Sequence, residues 1–491
     1  VEPLPPLPLT PTEAELEGEA EAADEEIVGI HDGHLFIRDP HDRFRLYPGG
    51  ALRFDFRSTP GAPDLPAAAG ASALDPHFAV RRVRLELSGE MFERLAFTMG
   101  LELGGGRLGD TTYAGPATSR FAPALAHDGR IRPAEISLSY RFRDWLAFTL
   151  GQYNAPFSMS NRTRESVTPL MERPLPIQGF VVPNEKELGL TVWGELFDPM
   201  ALAYEVGVFG GDGQDRPAVD ARVDVMARVF ARPLSHAGDS TFHRQAQIGL
   251  SARHGERDQT RVGYDYPALA TGQGFVLWQP GYVDSLGRAT HVVPSGAQNA
   301  IGGELRLPFD IGSRALDLQA ELYYLVNNTR EAVDGFVLTN TERFGRVKGL
   351  GWYAQISFWA CGDTFVSGAP GMHRPVHVDL GRDAPELRGL EVIALAGGVN
   401  ANYSGATREG STADPNTPDA NIAAYQFGGA LQFWYTQAHR LAINYMAYFV
   451  PDAGDPRANQ ALVADNLPDV DNAVGDGTVQ HELGARWAIT F

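Results

Sequence analysis

From about residue 44 to the last residue, apolar and polar side chains alternate one by one. Leu52, Phe54 and Phe56 alternate with Arg53, Asp55 and Arg57. Val83, Leu85 and Leu87 alternate with Arg82, Arg84, Glu86 and Ser88, and Leu95, Phe97, Met99 and Leu101 with Ala96, Thr98, Gly100 and Glu102. A period of two sends successive side chains to opposite faces of a strand, so each segment has one apolar and one polar face. The same rule predicts strands over 44–57, 80–89, 94–103, 131–140, 145–153, 186–196, 201–209, 221–231, 244–254, 299–307, 314–325, 349–360, 387–398, 424–435, 440–449 and 480–491. Most of these sixteen segments match the ~9–11 residues that a tilted strand needs to cross a bilayer.

The connections fall into two classes. Tight links lie around 90–93, 141–144, 197–200, 308–313 and 436–439, whereas 104–130, 154–185, 255–298 and 450–479 are long and rich in Gly, Pro, Asp and Asn. Short turns on one side and long loops on the other are the asymmetry of a transmembrane barrel. The links 361–386 and 232–243 are longer than this scheme expects. No run approaches the roughly 18–20 apolar residues of a membrane helix; Leu390–Val399 is too short and contains two glycines.

A soluble sandwich or propeller also alternates. Against it stand the strand lengths, the many Arg and Asp/Glu residues at polar positions, and aromatics at strand ends: Tyr140, Trp145, Trp434 and Tyr435 at one level, Trp352 and Phe449 at the other. The expected fold is all-β, a transmembrane antiparallel β-barrel of sixteen strands over 44–491, with the segment 480–491 closing on 44–57.

Residues 1–43 read as a disordered or loosely structured extension on the periplasmic side, Pro-rich at Pro3–Pro11 and then Ala/Glu-rich. Residues 1–30 hold nine carboxylates and no Lys or Arg, leaving about −11 of the total charge of −20 on the rest. The acidic balance excludes a nucleic-acid partner. The start at Val1 without Met reads as a processed end, and the lone Cys361 as a buried or incidental thiol outside any cystine framework.

Catalytic motifs fail on inspection. Gly104–Gly109 spells a dinucleotide fingerprint but no helix follows it, and His481-Glu482 lacks the second histidine of a zinc protease. No G-x-S-x-G elbow occurs, and His31 and His34 read as solvated. Asp465, Asp469, Asp471 and Asp476 depart from a calcium-loop spacing and read as a solvated loop. No catalytic residue, metal or cofactor is expected.

Several segments carry a family resemblance. They are Gly49–Asp55, Arg81–Gly89, Gly151–Tyr153 with Ala155–Ser158, Met171–Arg173 and Gly351–Phe358, followed by the alternating terminus Leu483, Ala485, Trp487, Ile489 and the final Phe491. Over roughly 33–491 the chain resembles the phosphate-selective porin family of bacterial outer-membrane proteins. The resemblance implies a homotrimer of sixteen-stranded porins, with one loop folded into each pore, and a terminal Phe recognised by the barrel-assembly machinery. By position that constriction loop is 154–185, contributing Arg162, Arg164, Glu165, Glu172 and Arg173. The family's lysines are missing: Lys186 and Lys348 are the only two, so phosphate specificity does not follow.

Barrel closure gathers a candidate lumenal site. Arg440, Arg486, Arg53, Arg57, Arg82 and Arg84 are expected to line the pore from neighbouring strands, with Asp55, Glu86 and Glu482 among them. Glu187, Glu195, Glu205 and Asp224 are expected to face them across the lumen. Two readings stand: local ion pairs that stabilise the wall, or a transverse field that favours anions near the arginines. The expected function is passive diffusion of small hydrophilic solutes with weak anion preference, the partners being such solutes, outer-membrane lipid and lipopolysaccharide. The alternative is a structural barrel, its pore closed or plugged, that anchors an envelope partner.

Overall fold

The computed structural model describes residues 27–31, 34–41, 43–60, 76–92, 94–104, 131–177, 185–197, 201–216, 218–236, 243–259, 264, 266–267, 269–273, 276–278, 281–283, 289–333, 343–362, 389–407, 420–436, 438–451 and 478–491. The Gly105–Gly109 run, the acidic loop Asp465–Asp476, the link 363–386 and residues 1–26 lie outside them.

In chain order the strands are β1 (Val28–His31), β2 (His34–Arg38), β3 (Phe44–Ser58), β4 (His77–Met91), β5 (Leu95–Gly104), β6 (Arg132–Arg143) and β7 (Leu146–Asn154). After a one-turn helix α1 (Met159–Arg162) come β8 (Lys186–Leu196), β9 (Leu202–Phe209), β10 (Asp224–Ala231) and β11 (Gln247–Arg257). Three short strands follow, β12 (Leu269–Ala270), β13 (Val276–Trp278) and β14 (Gly281–Val283). The chain ends with β15 (Ala289–Ile311), β16 (Arg314–Val333), β17 (Arg343–Cys361), β18 (Gly389–Thr407), β19 (Ala420–Thr436), β20 (His439–Val450) and β21 (Thr478–Thr490).

Sixteen of these, β3 to β11 and β15 to β21, pair antiparallel with their sequence neighbours, β11 passing directly to β15. β21 pairs with β3 from Leu483↔Ser58 to Thr490↔Ala51, so the sheet closes on itself. Closure leaves no edge with unpaired amides, which is the condition for crossing a bilayer with strands. Each predicted strand appears in place. The largest difference is at β15, which starts at Ala289 rather than 299. Pro294 and the positive φ of Gly296 break the alternation there, and the register shifts between Pro294 and Gln298 while pairing continues.

The outward row is apolar and exposed, with Leu85, Met99, Leu150, Leu250, Ile301, Leu322, Leu431 and Trp487 along it. This is the face a hydrocarbon layer covers. The small residues Ala252 and Ala320 also face outward, whereas Ala246 is buried just ahead of β11. Tyr140, Trp145 and Tyr435 are exposed near strand ends as an aromatic girdle requires. Trp434 is not part of it. It points inward, 1 % exposed, stacks on Trp359 and donates its indole N–H to Glu391. Cys361, expected buried or incidental, ends β17 exposed.

Within the segment read as an extension, β1 and β2 form a hairpin. β2 pairs with the start of β3 through Ile37↔Leu46 and Arg38↔Arg45, just beyond the point where β21 ends. Phe36 is buried there, and its apolar neighbours Leu35 and Ile37 give the hairpin a strand's composition.

The interior is unequal around its circumference. From β15 to β20 the inward row is largely apolar, with Tyr323, Leu325, Val347, Tyr353, Ile393, Leu395, Val399, Tyr403, Met446 and Tyr448 in one buried cluster. The same cluster takes in Phe157, Leu170, Leu175 and Ile177 from the link after β7, and Tyr266, Leu269 and Leu277 from the link after β11. The apolar run Leu390–Val399 is therefore a strand with two apolar faces, one toward lipid and one under a folded-in loop.

Candidate functional site

Among the described residues, two connections fold inward. The first, after β7, leaves the wall at Asn154 and is pinned by Glu321 of β16. That carboxylate accepts the backbone N–H groups of Met159 and Ser160 at 2.8 Å each, the Ser158 hydroxyl at 3.2 Å and the Tyr353 hydroxyl at 2.5 Å. These are the orphan donors at the start of α1, and a carboxylate is the natural partner for them. Ser158 holds a positive φ of 74° to present its side chain there, and its oxygen caps Asn161 N–H at 3.2 Å.

The loop then crosses the lumen. Leu175 N–H donates to Gln426 at 2.9 Å, Gln432 donates to the Pro169 carbonyl, and Arg440 donates to the Thr168 carbonyl at 2.7 Å. Arg173 folds back within the loop, reaching the Ser160 and Thr163 carbonyls and pairing with Glu185 at 3.1 Å. Arg162 pairs with Glu205 of β9 at 2.7 Å. Arg164 is exposed.

Glu165 and Glu172 reach the opposite wall. Glu165 sits against Arg53 of β3 at 3.4 Å and against Arg82 and Arg84 of β4, the latter at 3.7 Å. Glu172 is held by Arg57 of β3 at 3.2 Å, Arg81 of β4 at 3.2 Å and Arg486 of β21 at 2.8 Å. Arg486 also grips Asp55 with two hydrogen bonds of 2.7 Å, and Arg57 reaches Asp55 at 2.8 Å. Glu102 of β5 takes Arg82 at 3.0 Å and Arg84 at 3.4 Å. Burial pushes the Glu172 carboxyl up, yet Arg81, Arg486 and Arg57 outweigh it and hold it well below the usual carboxylate range.

Arg81 is absent from the set expected by alternation, which sends it outward. A β-bulge brings it in: Arg53 pairs with Arg82 but Phe54 pairs with Val80, so Arg81 has no opposite residue. The extra residue rotates the strand locally, and both Arg81 and Arg82 face the lumen. Two adjacent arginines ahead of a perfect alternation are the only trace of this in the sequence.

The carboxylates expected across the lumen do not stand alone. Asp224 is fully buried between Arg253 and Arg257 at 2.6 Å each. Glu205 lies between Arg162 and Arg228, and Arg228 also makes a paired contact with Glu304 at 2.8 and 2.9 Å. Glu187 accepts Gly211 N–H at 3.1 Å, and Glu195 is half-buried toward the end of β8. Arg228, Arg253, Arg257 and Arg306 come from β10, β11 and β15, where the strand pattern is regular and their inward direction was readable. Glu205 and Asp224 thus sit in ion pairs with neighbouring arginines.

The second inward connection, after β11, was read as an outer loop. Tyr266 fixes it to β15 through the Val292 carbonyl, and its tip reaches β20 and β21. Gly272 N–H donates to the Tyr448 hydroxyl at 3.0 Å, Thr271 donates to Glu482, and Gln273 N–H donates to Glu482 at 3.2 Å. A narrow recess of about 30 Å³ lies between the two loops, walled by Arg57, Asn444, Met446 and Gly484 among others.

The sequence matches the family model described as phosphate-selective porin O and P over residues 61–381. The chain belongs to this family. It is a bacterial outer-membrane porin, a passive channel through a closed sixteen-stranded barrel. No curated relative matches the sequence. Among solved structures the chain is similar to the outer membrane channel DcaP of Acinetobacter baumannii, at 10 % identity over 91 % of this chain and 97 % of that one, with a TM-score of 0.48. It is also similar to an anion-selective porin from Comamonas acidovorans, at 12 % identity, 91 % and 100 % coverage and a TM-score of 0.45. OmpT of Vibrio cholerae in its trimer form gives 10 % identity, 92 % and 100 % coverage and a TM-score of 0.45. At these scores the assignment rests on the family match.

Proposed function

We propose that this porin passes small hydrophilic solutes with a weak preference for anions and performs no catalysis. The observation that carries the reading is an excess of fixed positive charge where the first loop meets the wall. Arg53, Arg82 and Arg84 face Glu165 and Glu102; Arg57, Arg81 and Arg486 face Glu172 and Asp55. Each group has three guanidiniums to two contacting carboxylates, and Glu482 lines the recess beside Arg57 and Glu172 as a third carboxylate on that side. Arg440 adds a charge whose hydrogen bonds go to the Thr168 and Glu165 carbonyls and the Gln432 amide, all neutral. Permeation responds to charges within about 8 Å of the path at physiological salt, so this local excess outweighs the acidic total of the chain.

Residues 154–185 act as the constriction loop in this reading. The barrel sits in lipid and lipopolysaccharide as a homotrimer, its small outward residues Ala252 and Ala320 permitting close approach. Reversal potentials across a planar bilayer in a salt gradient test the preference: a chloride-side potential is expected, and a cation-side potential overturns it. A monomeric mass in mild detergent, repeated by crosslinking in membranes, overturns the trimer.

One observation favours a second reading. Two loops share a buried apolar cluster with the inner wall, as a plug does. A folded barrel that carries no current in any orientation favours a structural anchor over a channel.

A further inference from the structure

Glu165 and Glu172 lie seven positions apart on one loop, and each ends among three arginines of the wall. In the first group the Glu165 side chain is 23 % exposed, against 9 to 16 % for Arg53, Arg82, Arg84 and Glu102. In the second, Glu172 is 19 % exposed while Asp55 is sealed at 0 % and Arg57 and Arg486 at 3 % and 2 %. The loop carboxylate is in both cases the member that water reaches most easily.

The loop backbone does not depend on either contact. Glu321, Gln426, Gln432 and Arg440 hold it by separate hydrogen bonds, so each glutamate can leave its arginines by side-chain rotation alone. Guanidiniums converging on one carboxylate suit any compact oxyanion equally, since their donors match carboxylate and phosphate oxygens alike.

We propose that Glu165 and Glu172 are tethered counter-anions, filling two oxyanion sites that permeating carboxylate- or phosphate-class solutes take over in turn. The proposal rests on the anion-preferring reading and explains why that preference is weak. An incoming anion gains three guanidiniums only by displacing a resident carboxylate, which lowers affinity and keeps the solute moving.

The test replaces each carboxylate by its neutral isostere, Glu165→Gln and Glu172→Gln, with Glu256→Gln as a matched charge change away from the lumen. Glu256 is exposed near the end of β11 beside Arg222, 3.3 Å away. Inorganic phosphate is titrated against chloride current in bilayers and, separately, into detergent-folded protein by calorimetry. E165Q and E172Q are expected to bind phosphate and block with it at roughly tenfold lower concentration than wild type, the worth of one charge-assisted contact. E256Q should shift less than twofold. Equal shifts in all three variants, or none in either loop variant, overturn the proposal. If no protein conducts, calorimetry decides alone: tighter binding in the loop variants keeps the sites and removes the channel reading, whereas unchanged binding removes both. Heat-modifiable migration on a gel confirms folding, and because the two clusters are separate, either loop variant suffices.

Discussion

Gly50 and Phe491 exchange backbone hydrogen bonds across the barrel's closing seam, Gly50 N–H to the Phe491 carbonyl at 2.8 Å and Phe491 N–H to the Gly50 carbonyl at 3.0 Å. The terminal ring lies over Gly50, where a Cβ would come within 2.9 Å of it and within 2.3 Å of the Arg84 carbonyl. A Cβ at Gly49 would meet the Phe491 carbonyl oxygen at 2.5 Å. The paired glycines of β3 thus make room for the last residue of β21. Gly50→Val should destabilise the folded barrel by about 1–3 kcal/mol through overpacking, read as a lowered temperature for loss of the fast-migrating form. Phe491→Ala keeps the backbone pair and should cost less; equal losses would contradict this account of the seam.

The arginine wall makes a separate prediction. Arg82→Gln with Arg84→Gln leaves Glu102 and Glu165 facing Arg53 alone. The local excess is then reversed, and the reversal potential should move toward the cation side. An unchanged potential would mean that these side chains do not set the field.

The depressed Glu172 carboxyl sets a pH window. A carboxylate whose folded pKa lies below its unfolded value contributes stability that is full above the unfolded value, about 4.3 for Glu. That contribution is lost as pH falls through the folded value. The gap in thermal midpoint between wild type and Glu172→Gln should therefore stay constant from pH 7 to about 5 and close in stronger acid. A gap that closes between pH 7 and 5 would contradict the triple-arginine contact.

The barrel was legible because alternation and loop asymmetry are local signals repeated along the whole chain. Arg53, Arg57, Arg82, Arg84, Arg440 and Arg486 all followed from strand parity and closure. Arg81 did not, because a bulge suspends parity for one residue. Trp434 was taken for an interfacial aromatic because it sits at a strand end, yet its parity with Gln432 and Arg440 already placed it inside. Partners were the least legible layer. Nothing in the spacing of 154–185 says that Glu165 and Glu172 meet β3, β4 and β21, contacts made across as many as 314 positions. The inward course of 264–278 is equally silent, since its anchors are single residues on distant strands.

Those anchors are open to test. Glu482→Ala removes the acceptor for Thr271 and for Gln273 N–H. The tip of the second loop then keeps its contact with Tyr448 and the carbonyls of Ser58 and Leu483. Single-channel conductance should rise, and anion preference with it, because the substitution also removes a carboxylate that lines the recess beside Arg57. Conductance equal to wild type would show that this loop does not narrow the path.

Glu321 governs the first loop more completely. Its carboxylate takes two backbone N–H groups of α1 and two hydroxyls, and it is buried at 3 % exposure under Tyr323 and Tyr353. Glu321→Gln can keep its carbonyl for Ser160 N–H and the two hydroxyls but then turns its amide N–H toward the Met159 donor; Glu321→Ala leaves both backbone donors without this partner. An unmet buried donor costs about 1–3 kcal/mol, so the alanine variant should free the start of the loop while its far end stays on Gln426, Gln432 and Arg440. A loop held at one end occupies the lumen less uniformly. Conductance should become larger and noisier, and anion preference should rise because Glu165 and Glu172 no longer sit steadily on their arginines. Glu321→Gln should fall between wild type and alanine on both measures. Quiet, wild-type conductance from Glu321→Ala would show that the loop is positioned by its apolar cluster alone and that the carboxylate cap is dispensable.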